Sequence, residues 1–274
     1  MPETATQTQP SAQTWTDDEL ADVHARADKH DRVRAMFGAI ARRYDLNNRV
    51  HSFWQDQAWR RFAVRAARVQ PGDRVLDVAC GTGDLTLAFA TRSPAAQVVG
   101  VDFTPEMLDL AAPKARKVRN LDPARVSFDQ GDAMDLRFDD ASFDVLSIAF
   151  GIRNVQQPDR ALAEFFRVLK PGGRLVVLEF DKPTNPLAAW GNALYCQRIM
   201  PITATILAGD RSGAYRYLPK SVSAFATSAE LADAITAAGF EGVTPKKLTM
   251  GVCACTRAIK PASPRFRAPN QPVP

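Results

Sequence analysis

Short runs of apolar residues alternate along this chain with stretches whose apolar positions recur every three or four residues. Val33, Met36, Phe37 and Ile40 follow that helical spacing, and a second helix is predicted over 57–69. RVLDVA (74–79) then reads as a buried strand, closed by CGTGD and followed by a helix through Leu85–Ala90. VVGVD (98–102) is a second strand. A helix starts after Thr104 with Pro105 in its first turn, and Pro113 is expected to kink or end it. VSFDQGD (126–132) and FDVLSIAF (143–150) are further strands. Pro158 opens a helix with Leu162, Phe165, Phe166 and Leu169 on one face; KPGG (170–173) ends it before the strand RLVVLEF (174–180). The rhythm breaks over 181–227 and resumes with a helix (228–238), Gly239, and strands near 242–249 and 252–258. Strands this apolar must be covered on both faces. The expected fold is therefore α/β and Rossmann-like: a mostly parallel seven-stranded sheet with an antiparallel edge hairpin and helices on both faces.

The flanks differ. Residues 1–30 are expected to be disordered or loosely ordered, 31–260 to form one domain, and the Pro-rich 261–274 to be a flexible tail. Within the domain, 31–69 would form a helical lid and 181–227 a substrate-side insertion. The first residues carry neither a basic nor an apolar leader pattern, and no apolar run approaches the ~20 residues of a membrane span. A cytoplasmic protein is expected.

Composition adds little, with 46% hydrophobic and 24% charged residues as in ordinary globular proteins. Charge placement says more. The net charge is +5, yet residues 31–68 alone hold nine Arg against three Asp, and 251–274 hold four cations and no acid. Such a basic segment suits anionic lipid or nucleic acid, or is simply a solvated helix face. Cys80, Cys196, Cys253 and Cys255 form no CxxC pair. They read as buried reduced thiols rather than a zinc or redox site, and no metal is expected.

The chemistry gathers at strand ends, where open α/β sheets bind ligands. In the first turn, Asp77 to Asp84, Gly81 and Gly83 permit tight backbone geometry and Thr82 lies between them. A dinucleotide fingerprint would need Gly or Ala where Thr86 stands, and a pyrophosphate is repelled by aspartates at both ends of the turn. A sulfonium cofactor has no phosphate and carries an amino group that attracts carboxylates, which favours S-adenosylmethionine. Asp102, followed by Phe103, ends the second strand, where it could accept both ribose hydroxyls or cap the next helix. Asp132, followed by Ala133, could reach the adenine amino group or fix its loop.

DVACGTGD, VVGVD and GDAMDL at successive strand ends resemble the motif series of class I methyltransferases. More specific strings follow in order: YDLNNRVHSFWQDQAWRR (44–61), AFGIRNV (149–155), LKPGGRLVVLEFDKP (169–183), YRYLPKSV (215–222) and GVCACTRAIK (251–260). Together they resemble the ubiquinone/menaquinone biosynthesis C-methyltransferase family over roughly residues 31–260. Asn47, Arg49 and Trp54 depart from residues common in that family, and Ala149 stands where a Ser near the cofactor is frequent.

The resemblance implies methylation of a ring carbon on a prenylated hydroquinone: demethylmenaquinol to menaquinol, towards which QDQAW leans, or a methoxy-benzoquinol in the ubiquinone branch. A phenol is about 0.1% ionised at pH 7, so activating its ring leaves about 4 kcal/mol to offset. Arg153 and Asn154, just past the fourth strand, are the implied active-site residues: Arg153 to stabilise the phenolate or organise a water, Asn154 to orient the ring. Tyr44, Asp45 and Asn48 would belong to the lid, with Asp45 or His51 available as base. The apolar stretch 187–209 suits either a groove for the prenyl tail or core packing. A polyprenyl substrate stays in the bilayer, so the enzyme is expected to visit the inner membrane surface transiently. A homodimer is one assembly open to it. Nucleic acid is not an expected partner, because FGIRN stands where base amino-methyltransferases carry (N/D)PP(Y/F/W). A small-molecule O- or N-methyltransferase, or a non-catalytic member of a quinone-biosynthesis assembly, are the remaining alternatives.

Overall fold

The computed structural model describes Trp15, residues 26–195, Arg198, Thr203 and residues 214–262. Residues 1–14 and most of the 261–274 tail lie outside the described residues, as do Cys196 and much of the apolar stretch 187–209.

Two helices, α1 (Lys29–His51) and α2 (Gln55–Ala66), precede a sheet built from β1 (Arg74–Val78), β2 (Gln97–Asp102), β3 (Val126–Gln130), β4 (Phe143–Ala149) and β5 (Leu169–Phe180). Between these strands run α3 (Asp84–Arg92), α4 (Pro105–Arg116) and α5 (Pro158–Val168). Then follow α6 (Pro186–Leu194), α7 (Ala214–Ala224), α8 (Ser228–Ala237), β6 (Glu241–Leu248) and β7 (Cys253–Ile259). The sheet order is β3-β2-β1-β4-β5-β7-β6. The first five strands are parallel, and β7 enters antiparallel between β5 and the edge strand β6.

Each sheet face is buried. On one side Leu76, Leu146, Val177 and Phe165 pack together; on the other Val75, Val145, Phe89 and Trp59 do so. Cys253 and Cys255 share the second face, and burial holds the Cys255 thiol up at about 12. At α8, Thr227 and Glu230 form a capping box, each side chain taking the other's backbone N–H.

Two elements differ from the sequence-based expectation. The helix α4 runs through Pro113 to Arg116. The proline removes one hydrogen bond, to the carbonyl of Asp109, on an exposed turn where water can replace it. The strand β5 begins at Leu169 and takes in KPGG, because Leu169 already pairs with Phe143 before the register shifts. Trp15 and Lys29 both fall in the stretch read as loosely ordered, and both are buried. Trp15 packs with Val33, Met36, Ile40, Ala214 and Tyr217 in a small cluster that joins α1 to α7.

Candidate functional site

The parallel order places the C-terminal ends of β1, β2 and β4 side by side, and the chain leaves them through strained turns. Ala79 after β1 and Phe150 after β4 adopt left-handed backbone (φ +52° and +57°). Such non-glycine strain clusters at functional sites. A Cβ on Gly151 would lie 2.6 Å from that of Ala79, so glycine there lets the two strand ends meet. Gly81 (φ +55°) faces open space, whereas a Cβ on Gly83 would meet the Phe128 ring at 2.9 Å. Gly81 therefore keeps the cleft open and Gly83 serves packing of the turn.

Above these turns lies an open cleft that encloses about 670 Å³, solvent space at its mouth included. Its walls include Gly81, Asp102, Phe103, Thr104, Asp132, Ala133, Ala149 and Asn154, with Phe37 and Tyr44 of α1 as roof. A smaller chamber of about 330 Å³, lined by Arg60, Asp77, Thr82 and Asp84, shares Tyr44, Ala79, Gly81 and Ala149 with it.

The carboxylates differ in their surroundings. Asp102 accepts the Gly81 N–H at 2.7 Å and the Thr104 N–H at 2.9 Å. Burial nevertheless pushes its pKa up. The hydroxyl of Thr104, on the cavity wall, is buried beside the Asp102 carboxylate. Asp77 accepts from Thr86 and Ser147, each at 2.7 Å, and burial raises its carboxyl to about 6. Asp132 accepts the Met134 N–H and lies 3.6 Å from His30 Nε2, whose ring packs on Phe103.

The candidate catalytic residues separate. Tyr44 and Asn154 meet the cavity. Burial raises the Tyr44 phenol above its ordinary pKa, keeping it protonated at neutral pH. Asn154 accepts from Tyr217 Oη at 2.9 Å through Oδ1 and donates Nδ2 to the Phe150 carbonyl at 3.3 Å. Arg153 does not line the cavity. Its Nη1 bonds Glu179 at 2.7 Å and the Phe150 carbonyl at 2.6 Å, and its guanidinium lies over Phe180. Asp45 is also off the wall, accepting from Thr82 Oγ1 at 2.5 Å and Lys114 Nζ at 2.7 Å. Lys114 pairs with Asp84 as well, and Arg49 reaches Asp84 at 3.3 Å. This network fastens α1 to the glycine turn. His51 sits at the far end of α1, its ring bonding the Asn47 carbonyl and Thr203 Oγ1, each at 2.9 Å.

Several groups at the site escaped sequence reasoning. Arg60 is buried, pairs with Asp56 at 2.8 Å, and faces the smaller chamber. Only its i, i+4 spacing from Asp56 hints at this. Tyr217 lay in YRYLPKSV, but its bond to Asn154 spans 63 residues. Lys29, buried, donates to the carbonyls of Arg153 and Val155 at 3.0 and 2.7 Å, and no local pattern announces that.

Comparison with known proteins places this geometry. The model of the ubiE/COQ5 methyltransferase family matches residues 25–260. A demethylmenaquinone methyltransferase of Thermus thermophilus is 48% identical over 221 residues, 80% of this chain and 97% of that protein. A ubiquinone/menaquinone biosynthesis C-methyltransferase of a Geobacter species is 42% identical over 231 residues, covering 84% of this chain and 97% of its own. Among solved structures, a Thermotoga maritima S-adenosylmethionine-dependent methyltransferase aligns over 82% of this chain and 98% of its own, with a TM-score of 0.57 and 22% identity, a likeness of fold alone.

Proposed function

The chain belongs to the ubiE/COQ5 methyltransferase family, and from that premise we propose that it methylates a ring carbon of a prenylated hydroquinone, with demethylmenaquinol as substrate. The observation that carries the reading is the pairing, in one cavity, of cofactor-type groups at the ends of β1 and β2 with Tyr44 and Asn154 opposite.

The residues fit S-adenosylmethionine. Asp102 and the Thr104 hydroxyl beside it suit a ribose, and Asp132 beside Phe103 suits an adenine. In the smaller chamber Asp77 would face the cofactor's ammonium and Arg60 its carboxylate. Gly81 leaves the backbone open between the two ends, Thr82 and Ala149 line the passage, and Ala133 closes the adenine side. When bound, the cofactor supplies an electrophilic methyl group on sulfonium sulfur.

The chain's own residues would hold and activate the ring. Asn154 spends one amide hydrogen on the Phe150 carbonyl and keeps the other for a phenolic oxygen. A fixed donor there stabilises the negative charge that makes the ring carbon nucleophilic. Tyr44 and Phe37 cover the ring from α1 and restrict water, which strengthens that bond. Arg153 acts behind the wall, its salt bridge to Glu179 fixing the turn that carries Asn154. The chain would work on the inner face of the membrane, where its substrate dissolves; among the described residues no helix is long and apolar enough to cross it.

Side-by-side assays with reduced demethylmenaquinol and a demethylated ubiquinol precursor, both short-tailed and detergent-dispersed, test the assignment. A kcat/KM at least ~10-fold higher for the naphthoquinol, the size of a modest pocket preference, is expected. Preference for the benzoquinol would move the enzyme to the other branch.

A further inference from the structure

Among the described residues, six large apolar side chains stay exposed around one corner of the molecule, away from the cavity. Phe53 and Trp54 form the turn between α1 and α2 and are 70% and 60% exposed. Leu187, Trp190 and Leu194 recur at i, i+3 and i+7 on α6, so they form one stripe, and all three are exposed. Met250, in the turn between β6 and β7, is 76% exposed.

These segments converge. The Phe53 ring lies 5.7 Å from that of Tyr195, the residue after the stripe, and Tyr195 Oη donates to the His51 carbonyl at 3.0 Å. From the other side Thr249, beside Met250, accepts from Trp59 Nε1 at 2.8 Å and donates to Gln55 Oε1 at 3.5 Å. The turn carrying Phe53 and Trp54 thus stands between α6 and the Met250 loop.

Backbone geometry sharpens the point. Phe53, Trp54 and Met250 all sit in left-handed conformation (φ +50°, +61° and +54°). Glycine or asparagine would occupy these positions with less strain. Fold stability alone gives no reason to place large apolar side chains there, because their burial in this chain is slight.

The charge around this corner decides the partner. On α1 and α2 the exposed Arg42, Arg61 and Arg65 are cationic, and Lys246 is exposed near the Met250 loop. The carboxylates of these helices are spoken for or distant: Asp45 pairs with Lys114, Asp56 is buried against Arg60, and Asp31 lies at the opposite end of α1. Apolar and aromatic tips in a cationic setting match the boundary layer of an anionic bilayer, where tryptophan and leucine enter and arginine meets headgroups. From Phe53 to Tyr44 on the cavity roof is nine residues, roughly 14 Å at the helical rise, a span a few prenyl units can cover.

We propose that Phe53, Trp54, Met250 and the Leu187–Trp190–Leu194 stripe form an interfacial docking surface that inserts into anionic lipid and sets the cavity beside the bilayer. The inference rests on the reading above that the substrate carries a prenyl tail.

The test floats the full chain with phosphatidylcholine vesicles, with and without phosphatidylglycerol, and repeats this for F53N/W54G/W190S. A second variant, R61E/R65E, alters charge without touching the apolar tips. The wild type should bind the anionic vesicles, less so as salt rises. The first variant should bind roughly tenfold or more weakly, given the apolar area removed, with its melting temperature unchanged or raised. The second should weaken binding to anionic vesicles as well. Methyl transfer to a short-tailed, detergent-dispersed quinol should persist in both, while transfer to a long-tailed quinol in vesicles falls. Undiminished vesicle binding by the first variant would overturn the proposal. So would a wild type that ignores anionic vesicles, or a variant whose only change is loss of a dimer. A wild type that docks but methylates no short-tailed quinol defeats the substrate reading and leaves the docking surface standing.

Discussion

Asn154 is held by two bonds that leave one amide hydrogen for the cavity, so its removal separates binding from chemistry. Asn154→Ala should lower kcat roughly 100-fold, as loss of one preorganised donor does, with cofactor affinity within about twofold of wild type. Tyr217→Phe keeps its ring stacked on Trp15 but frees the amide of Asn154. A smaller loss of kcat, on the order of tenfold, should follow from the lost orientation. Asp77 gives a pH signature. Its folded carboxyl titrates at about 6 against an ordinary 3.8, so without cofactor its contribution to stability is full below 3.8 and is lost as pH rises through about 6. An ammonium partner favours the ionised form, so cofactor affinity measured by calorimetry should rise through pH 6, and Asp77→Asn should flatten that rise. Sequence alone placed Asp102, Asp132 and Gly81 at the cleft, because strand ends and glycine turns are local features. Side-chain direction was not legible in the same way. FGIRN brings Arg153 and Asn154 to one turn, but Glu179, on another strand, draws the arginine into the core.

At the scale of elements, α1 supplies part of the cavity wall and is fastened at both ends. Lys114 and Arg49 bind Asp45 and Asp84 over the glycine turn, and Lys29 grips the carbonyls of the FGIRN turn. Lys114→Met would leave Asp45 and Asp84 with Arg49 as the remaining cation between them, a loss of roughly 1–3 kcal/mol. The expected result is faster cofactor release in stopped flow, with kcat less affected. Lys29 has its own pH mark, since burial and the nearby Arg153 lower its pKa from 10.5 to about 8. The charged form costs stability at and below pH 8, and that cost lifts as pH climbs toward 10.5. Urea denaturation should show wild type gaining on Lys29→Met by about 3 kcal/mol across that window, the free energy of moving the ammonium's titration from 10.5 to about 8. The parallel strands other than the mixed, half-exposed β3 were legible as short apolar runs, and the edge hairpin as two strands in succession. The length of α1 was not. Its polar outer face extends beyond the apolar stripe at Val33–Ile40, and the N-terminal turn that holds Lys29 is stabilised by contacts more than 120 residues away.

For the whole molecule, the proposed reading gives one arrangement: a cofactor cavity at the strand ends, a ring site under α1, and an apolar corner that meets the bilayer. Fold class and family were readable from spaced motifs along the chain. The docking corner was not, because its three segments lie far apart in sequence and meet only in the folded chain. The central claim is that this cavity transfers a methyl group to ring carbon, and one measurement tests it most directly. Purified protein is given ¹³C-methyl S-adenosylmethionine and reduced demethylmenaquinol, and the product is examined by NMR. The account predicts a single labelled methyl bonded to quinone ring carbon, abolished or strongly reduced in Asn154→Ala. A label on oxygen, or no transfer by a folded protein that binds the cofactor, would contradict it.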